Sequence, residues 1–146
     1  DSPLGRIGLM VSDDSLYPES ARLLAMQGVQ ILALPMMPLE AWELQTGVLE
    51  RAGENRMNLV AAAQPSASGC STIGALQRDF TIFGEWQERQ FDGVLTRPIV
   101  TLASASEGLT VADIYPRCAE NKVVSHRTHL LNNRPWHLLE PMTASN

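Results

Sequence analysis

Apolar and polar positions fall in blocks along this chain, and the blocks predict its elements. Arg6-Ile7-Gly8-Leu9-Met10-Val11 is a short, largely apolar run that stops at Ser12-Asp13-Asp14, the pattern of a buried strand running into a polar loop. Pro18 suits the first turn of a helix, and Glu19 suits the positive end of its dipole. Ala21, Leu24 and Ala25 then make an apolar face that Gly28 closes. Val29 to Leu34 is a second apolar run, closed by Pro35. The chain therefore opens with a strand–helix–strand unit of the parallel, right-handed kind.

Met36-Met37-Pro38 leads into a longer predicted helix from about Leu39 to Glu54. Trp42, Leu49 and Ala52 mark its apolar face, which Leu44 and Val48 widen. Asn58 to Ala63 reads as a third apolar strand. The pattern then changes. Pro65 to Gly69 is small and polar, and shorter β-like runs follow at Thr72–Leu76, Phe80–Phe83 and Val94–Ala103. Leu109 to Ile114 is the last predicted strand, followed by a helical turn from Pro116 and a tail rich in Arg, His and Asn. The expected class is α/β in a single segment 1–146: a βαβα core over about 1–64, antiparallel strands over 65–114 and a carboxyl-terminal tail over 115–146.

Composition narrows the function classes. In 146 residues, 45% apolar and 18% charged, there is material for one ordinary core and no sign of a disordered chain or disulfide scaffold. A net charge of −5 argues against nonspecific nucleic-acid binding. Ten of the 11 basic residues are arginine, and Lys122 is the only lysine. Cys70 and Cys118 stand far apart, which favours packed free thiols in a reducing, cytoplasmic setting and leaves one disulfide open. The apolar runs are too short for a membrane span, and no signal peptide is visible. A strand follows almost at once on Asp1, so the expectation is a piece of a longer polypeptide.

Several chemistries are excluded by what is missing. A receiver-type reading of Asp13-Asp14 needs an acceptor Asp on the third strand, yet no Asp occurs between Asp14 and Asp79. No G-x-G-x-x-G follows the first strand, and no glycine loop precedes Lys122. His126, His129 and Cys118 make a poor ligand set without a fourth partner, so they read as surface or interface residues, with no metal or other cofactor expected.

One resemblance spans most of the chain. Gly8-Leu9-Met10-Val11-Ser12-Asp13-Asp14-Ser15-Leu16-Tyr17-Pro18-Glu19 resembles the nucleophile segment of the nitrilase (carbon–nitrogen hydrolase) superfamily. There a strand ends in Cys, then an aromatic or polar residue, then Asp or Glu, with an aromatic-Pro-Glu opening the next helix. Ser20-Ala21-Arg22, Gly28 to Leu32, Arg51-Ala52-Gly53-Glu54-Asn55, Leu59 to Ala63, Ala112-Asp113-Ile114, Asn121-Lys122 and Arg134-Pro135 are similar to later family segments in the same order. The stretch from Ala67 to Ala105 diverges.

The resemblance implies part of a four-layer α-β-β-α sandwich that dimerises through helices and tail, here Pro18–Gln27, part of Leu39–Glu54 and Arg127–Trp136. It implies a homodimer and a missing amino-terminal half, or another domain of the parent. It also implies a Cys nucleophile, a Glu base and a Lys, the last two from a segment this chain does not contain. Ser12 stands at the nucleophile position, with the Asp13 backbone N–H at the oxyanion position. A hydroxyl without base or lysine should not turn over such substrates, so the implied role is a ligand- or partner-binding module. The other reading is a segment of an active amidase or nitrilase, with Ser12 as nucleophile or in place of a Cys. Ser12 is also a residue that any polar turn tolerates. Met36 and Met37 follow a strand's carboxyl end and are candidates for lining a pocket or filling the core. Glu19, Arg51 and Glu54 read as structural, with Arg51 and Glu54 spaced to pair, and Trp42 reads as a core or interface anchor.

Overall fold

The computed structural model describes residues 1–67, 69–76, 99–104, 106, 108–125 and 128–139. The expected strand Phe80–Phe83, the start of Val94–Ala103, His126 and Arg127 lie outside them. Among the described residues the chain runs β1 (Ile7–Leu9), α1 (Pro18–Met26), β2 (Ile31–Met36), α2 (Val48–Gly53), β3 (Asn58–Ala63), β4 (Thr72–Ala75), β5 (Ile99–Leu102), β6 (Val123–Ser125) and β7 (Thr128–His129). The first five strands form one mixed sheet in sequence order, and β6 and β7 form a separate hairpin. β1, β2 and β3 are parallel, while β4 and β5 are antiparallel. The predicted α/β class, parallel units first and antiparallel strands after, is what is found.

Burial explains the layers. Leu32, Leu34, Leu59 and Ala61 of the sheet bury themselves against Ala21 and Ala25 of α1 and Val48 and Ala52 of α2. Gly8 is part of that fit: a Cβ there would stand 2.9 Å from both methyls of Val29 and 3.2 Å from Leu24. The other face of the sheet carries the row Leu9–Ala33–Val60–Ile73–Thr101, one residue from each strand in register. That row is only partly covered, and Leu9 is 64% exposed.

Four expectations need correction. β2 is not closed by Pro35 but runs on to Met36. The Ala33 carbonyl accepts from Met10 N, so the Pro35 nitrogen two residues on faces the same side, beyond the end of β1, where no donor is needed. The predicted helix Leu39–Glu54 shrinks to residues 41–53, interrupted by a π-turn at Glu43–Gly47. Gly47 weakens the helix there, and the Trp42 ring lies over it, 3.1 Å from where a Cβ would sit. Trp42 is consequently no core residue, at 53% exposure. Finally, Leu109 to Ile114 joins no sheet among the described residues, with Leu109 and Val111 exposed. Alternating apolar residues become a strand only where an adjacent edge supplies partners.

Candidate functional site

The parallel strands deliver the Ser12 turn to the carboxyl end of the sheet, where open α/β sheets gather ligands. Met10 N still pairs with Ala33 O at 3.1 Å, and the chain then turns sharply. Ser12 takes φ 43°, in the left-handed region, the conformation that costs a non-glycine residue about 1–2 kcal/mol. Its neighbours hold it there. Asp14 closes the turn from both sides: its carboxylate accepts from Val11 N at 3.0 Å, and its own N–H donates to Val11 O at 3.0 Å. The buried Ser15 donates its hydroxyl to Ser12 O at 2.9 Å. The Ser12 hydroxyl, half-buried, donates to the exposed Asp13 carboxylate at 3.3 Å. The turn continues as a single 3-10 stretch, Ser12–Leu16, into α1.

The other predicted residues divide. Met36 is packed in the core, while Met37 beside it is 70% exposed. Glu19 lies exposed in the first turn of α1. Arg51 and Glu54 pair at 2.5 Å across one turn of α2. A cavity of about 50 Å³ lies between the Ser12–Leu16 turn and the π-turn, lined by Ser15, Trp42, Glu43 and Arg51. A wider groove of about 460 Å³, lined by Leu4, Gln30, Tyr115 and Arg117, borders the start of β2. Neither is lined by Ser12, Met36 or Met37. Among the described residues no group of His, Cys, Asp and Glu is placed to hold a metal, and His129 Nδ1 accepts from Leu131 N and Asn132 N. Both cysteines are free thiols. No helix in these residues is long and apolar enough to cross a membrane.

Sequence reasoning missed a second polar centre, at the opposite end of the sheet. Lys122 is 6% exposed and donates to Asn55 O at 2.9 Å and Arg56 O at 2.8 Å, in the turn that leads into β3. Arg22 of α1, 7% exposed, donates to Glu54 O and Leu130 O. Burial, then Arg134, pull its guanidinium below the usual range, with Glu54 opposing. Asn58 is fully buried and bonded through both ends of its amide. The isolated lysine in an arginine-rich chain was the one available signal. Its reach to two backbone carbonyls sets it apart from the Ser12 turn, which lies at the far end of the parallel strands.

No family model matches this chain, and no curated protein matches it. Solved structures do. The NitN amidase from Nesterenkonia sp. AN1 aligns with 97% of this chain and 48% of its own, at 19% identity and a TM-score of 0.54. A mutant of the Nesterenkonia AN1 amidase from the nitrilase superfamily covers 66% of this chain and 36% of its own, at 22% identity and a TM-score of 0.43. A carbon–nitrogen hydrolase from Helicobacter pylori G27 covers 43% and 26%, at 31% identity and a TM-score of 0.39. This chain thus spans between about a quarter and a half of their lengths.

Proposed function

We propose that this chain, whose neighbours among solved structures are carbon–nitrogen hydrolases of the nitrilase superfamily, is the carboxyl-terminal part of such a domain and works as a binding module. The observation that carries the reading is the open sheet face. Leu9, Ala33, Val60 and Ile73 form an apolar row, half-buried except for the exposed Leu9, on the face opposite the one packed on α1 and α2. A second sheet laid on this row would complete a four-layer sandwich, and apolar faces of this kind mark sites of association. The occupant is the amino-terminal half of the parent or another of its domains. The same reading makes the protein a homodimer joined through α1, where Tyr17, Leu23 and Met26 are exposed, and through the tail at Trp136.

Among the described residues the Ser12 hydroxyl meets the Asp13 carboxylate and no lysine, which supports a turn that binds rather than reacts. The decisive variant is Ser12→Cys in this chain, assayed against simple amides and nitriles. No turnover is expected; measurable hydrolysis would end the reading. Sedimentation at tens of micromolar should show a dimer, and a clean monomer would remove that part. The strained backbone at Ser12 supports a second reading, a segment of a working amidase with Ser12 as nucleophile or in the place of a Cys. A parent sequence holding an upstream Glu and Lys on strand ends would favour it.

A further inference from the structure

The carboxyl-terminal segment returns to the α/β body at the end of the sheet remote from Ser12, and three cationic side chains fasten it there. Lys122, just before β6, reaches the carbonyls of Asn55 and Arg56. Arg22 crosses from α1 to Leu130 O at 3.2 Å, and Arg56 reaches back to Cys118 O at 3.3 Å. The backbone of Lys122 takes part too, since its carbonyl accepts from Leu130 N at 2.9 Å and so holds the return of the β6–β7 hairpin.

These fasteners repel one another. Arg56 on the turn and Arg22 on α1 face Lys122 with like charge. Just after α2, Glu54 is engaged by Arg51. In the tail, Arg134 adds its charge against Arg22, and His129 is held as a hydrogen-bond acceptor. Burial first, then Arg56 and Arg22, draw the Lys122 ammonium down to about 8. A neutral amine keeps two N–H donors, one for each carbonyl it now meets, so losing the proton removes repulsion and no hydrogen bond.

We propose that Lys122 is a proton-sensitive latch: the β6–β7 segment grips the body more tightly when this side chain is neutral and loosens when it is charged. The docked state binds fewer protons than the released state, so the grip strengthens as pH rises from about 8 towards the free-lysine value near 10.5 and is level outside that window. Between pH 7.5 and 9.5 the equilibrium for docking should rise about twentyfold.

Lys122 is the only lysine, so lysine labelled with carbon-13 at Cε gives one resonance that reports its titration directly. Hydrogen exchange at the Leu130 and Asn133 amides, corrected for intrinsic rates, reads the grip in the full chain. Expected are a midpoint near 8 and about twentyfold more protection in the tail at pH 9.5 than at 7.5. Lys122→Arg, always charged, should abolish the pH response, and Lys122→Met should weaken the grip at every pH. A lysine titrating above about 10 in the folded chain would overturn the proposal. So would an equal response in Lys122→Arg.

Discussion

Asn58 is the position where a single small change should cost the most. It opens β3 with no exposed surface, and its amide joins three separate segments. Its Nδ2 donates to Gln30 O at 3.1 Å, just before β2, and to Tyr115 O at 3.2 Å in the segment before the Pro116 turn. Its Oδ1 accepts from Leu76 N at 3.0 Å, just after β4. In Asn58→Ala the two carbonyls keep one donor each, since Gln30 O also accepts from Asn58 N and Tyr115 O from Cys118 N. Leu76 N is left buried without a partner. One orphaned donor at about 1–3 kcal/mol, plus two lost bonds at about 0.5–1 each, gives roughly 2–5 kcal/mol. That is a large share of the stability of an ordinary domain.

Asn58→Asp separates this account from simple packing. It keeps the acceptor for Leu76 N but sets a second carboxylate oxygen against two carbonyls. A buried carboxyl so placed has a raised pKa, so the folded state holds its proton longer than the unfolded state. Stability is then retained at low pH and lost as pH rises past the unfolded value of about 4. Urea unfolding followed by tryptophan fluorescence at pH 4.5 and 7.5 measures both effects. The Asn58→Asp deficit should widen by at least about 1 kcal/mol between those values, while that of Asn58→Ala stays level. A loss under about 1 kcal/mol in Asn58→Ala, or a pH-independent Asn58→Asp, would refute the reasoning.

Three further outcomes follow from the geometry. Ser12→Gly relieves the left-handed backbone at φ 43° and should raise the urea midpoint by up to about 1 kcal/mol of stability, whereas Ser12→Ala should not. Gly8→Ala places a methyl 2.9 Å from Val29 and 3.2 Å from Leu24, and should lower stability by about 1–3 kcal/mol, read as a fall in Tm. Glu54→Gln removes the charge that pairs with Arg51 in a partly buried pair and should cost about 0.5–1 kcal/mol at low salt; a double-mutant cycle with Arg51→Met should show coupling, and independent effects would dismiss the pair.

The parts of the fold that were legible in the sequence are those decided by local pattern. Pro18 set the start of α1, and the runs Val29–Leu34 and Asn58–Ala63 marked buried parallel strands, because such strands read as largely continuous apolar stretches. What failed depended on neighbours that no local pattern encodes. Whether Pro35 ends a strand depends on where β1 stops, and whether Leu109–Ile114 is a strand depends on a free edge beside it. The burial of Lys122 and Arg22 was not legible because it rests on carbonyl partners up to 108 residues away in the chain.

The two ends of the sheet carry different burdens, and that division explains why the candidate site tolerates strain. At the carboxyl ends of β1 and β2, the backbone at Ser12 is unfavourable, Met37 is exposed and the Asp13 carboxylate faces solvent. At the opposite end, buried Asn58, Lys122 and Arg22 tie α1, the α2–β3 turn and the tail together through at least seven side-chain to backbone bonds. Each such bond contributes about 1 kcal/mol, against about 1–2 kcal/mol of strain at Ser12. The surplus at one end therefore lets the other keep a turn that local energetics alone would relax. It follows that Ser12 is free to change for chemical reasons at little cost to the fold, whereas Asn58 and Lys122 are not.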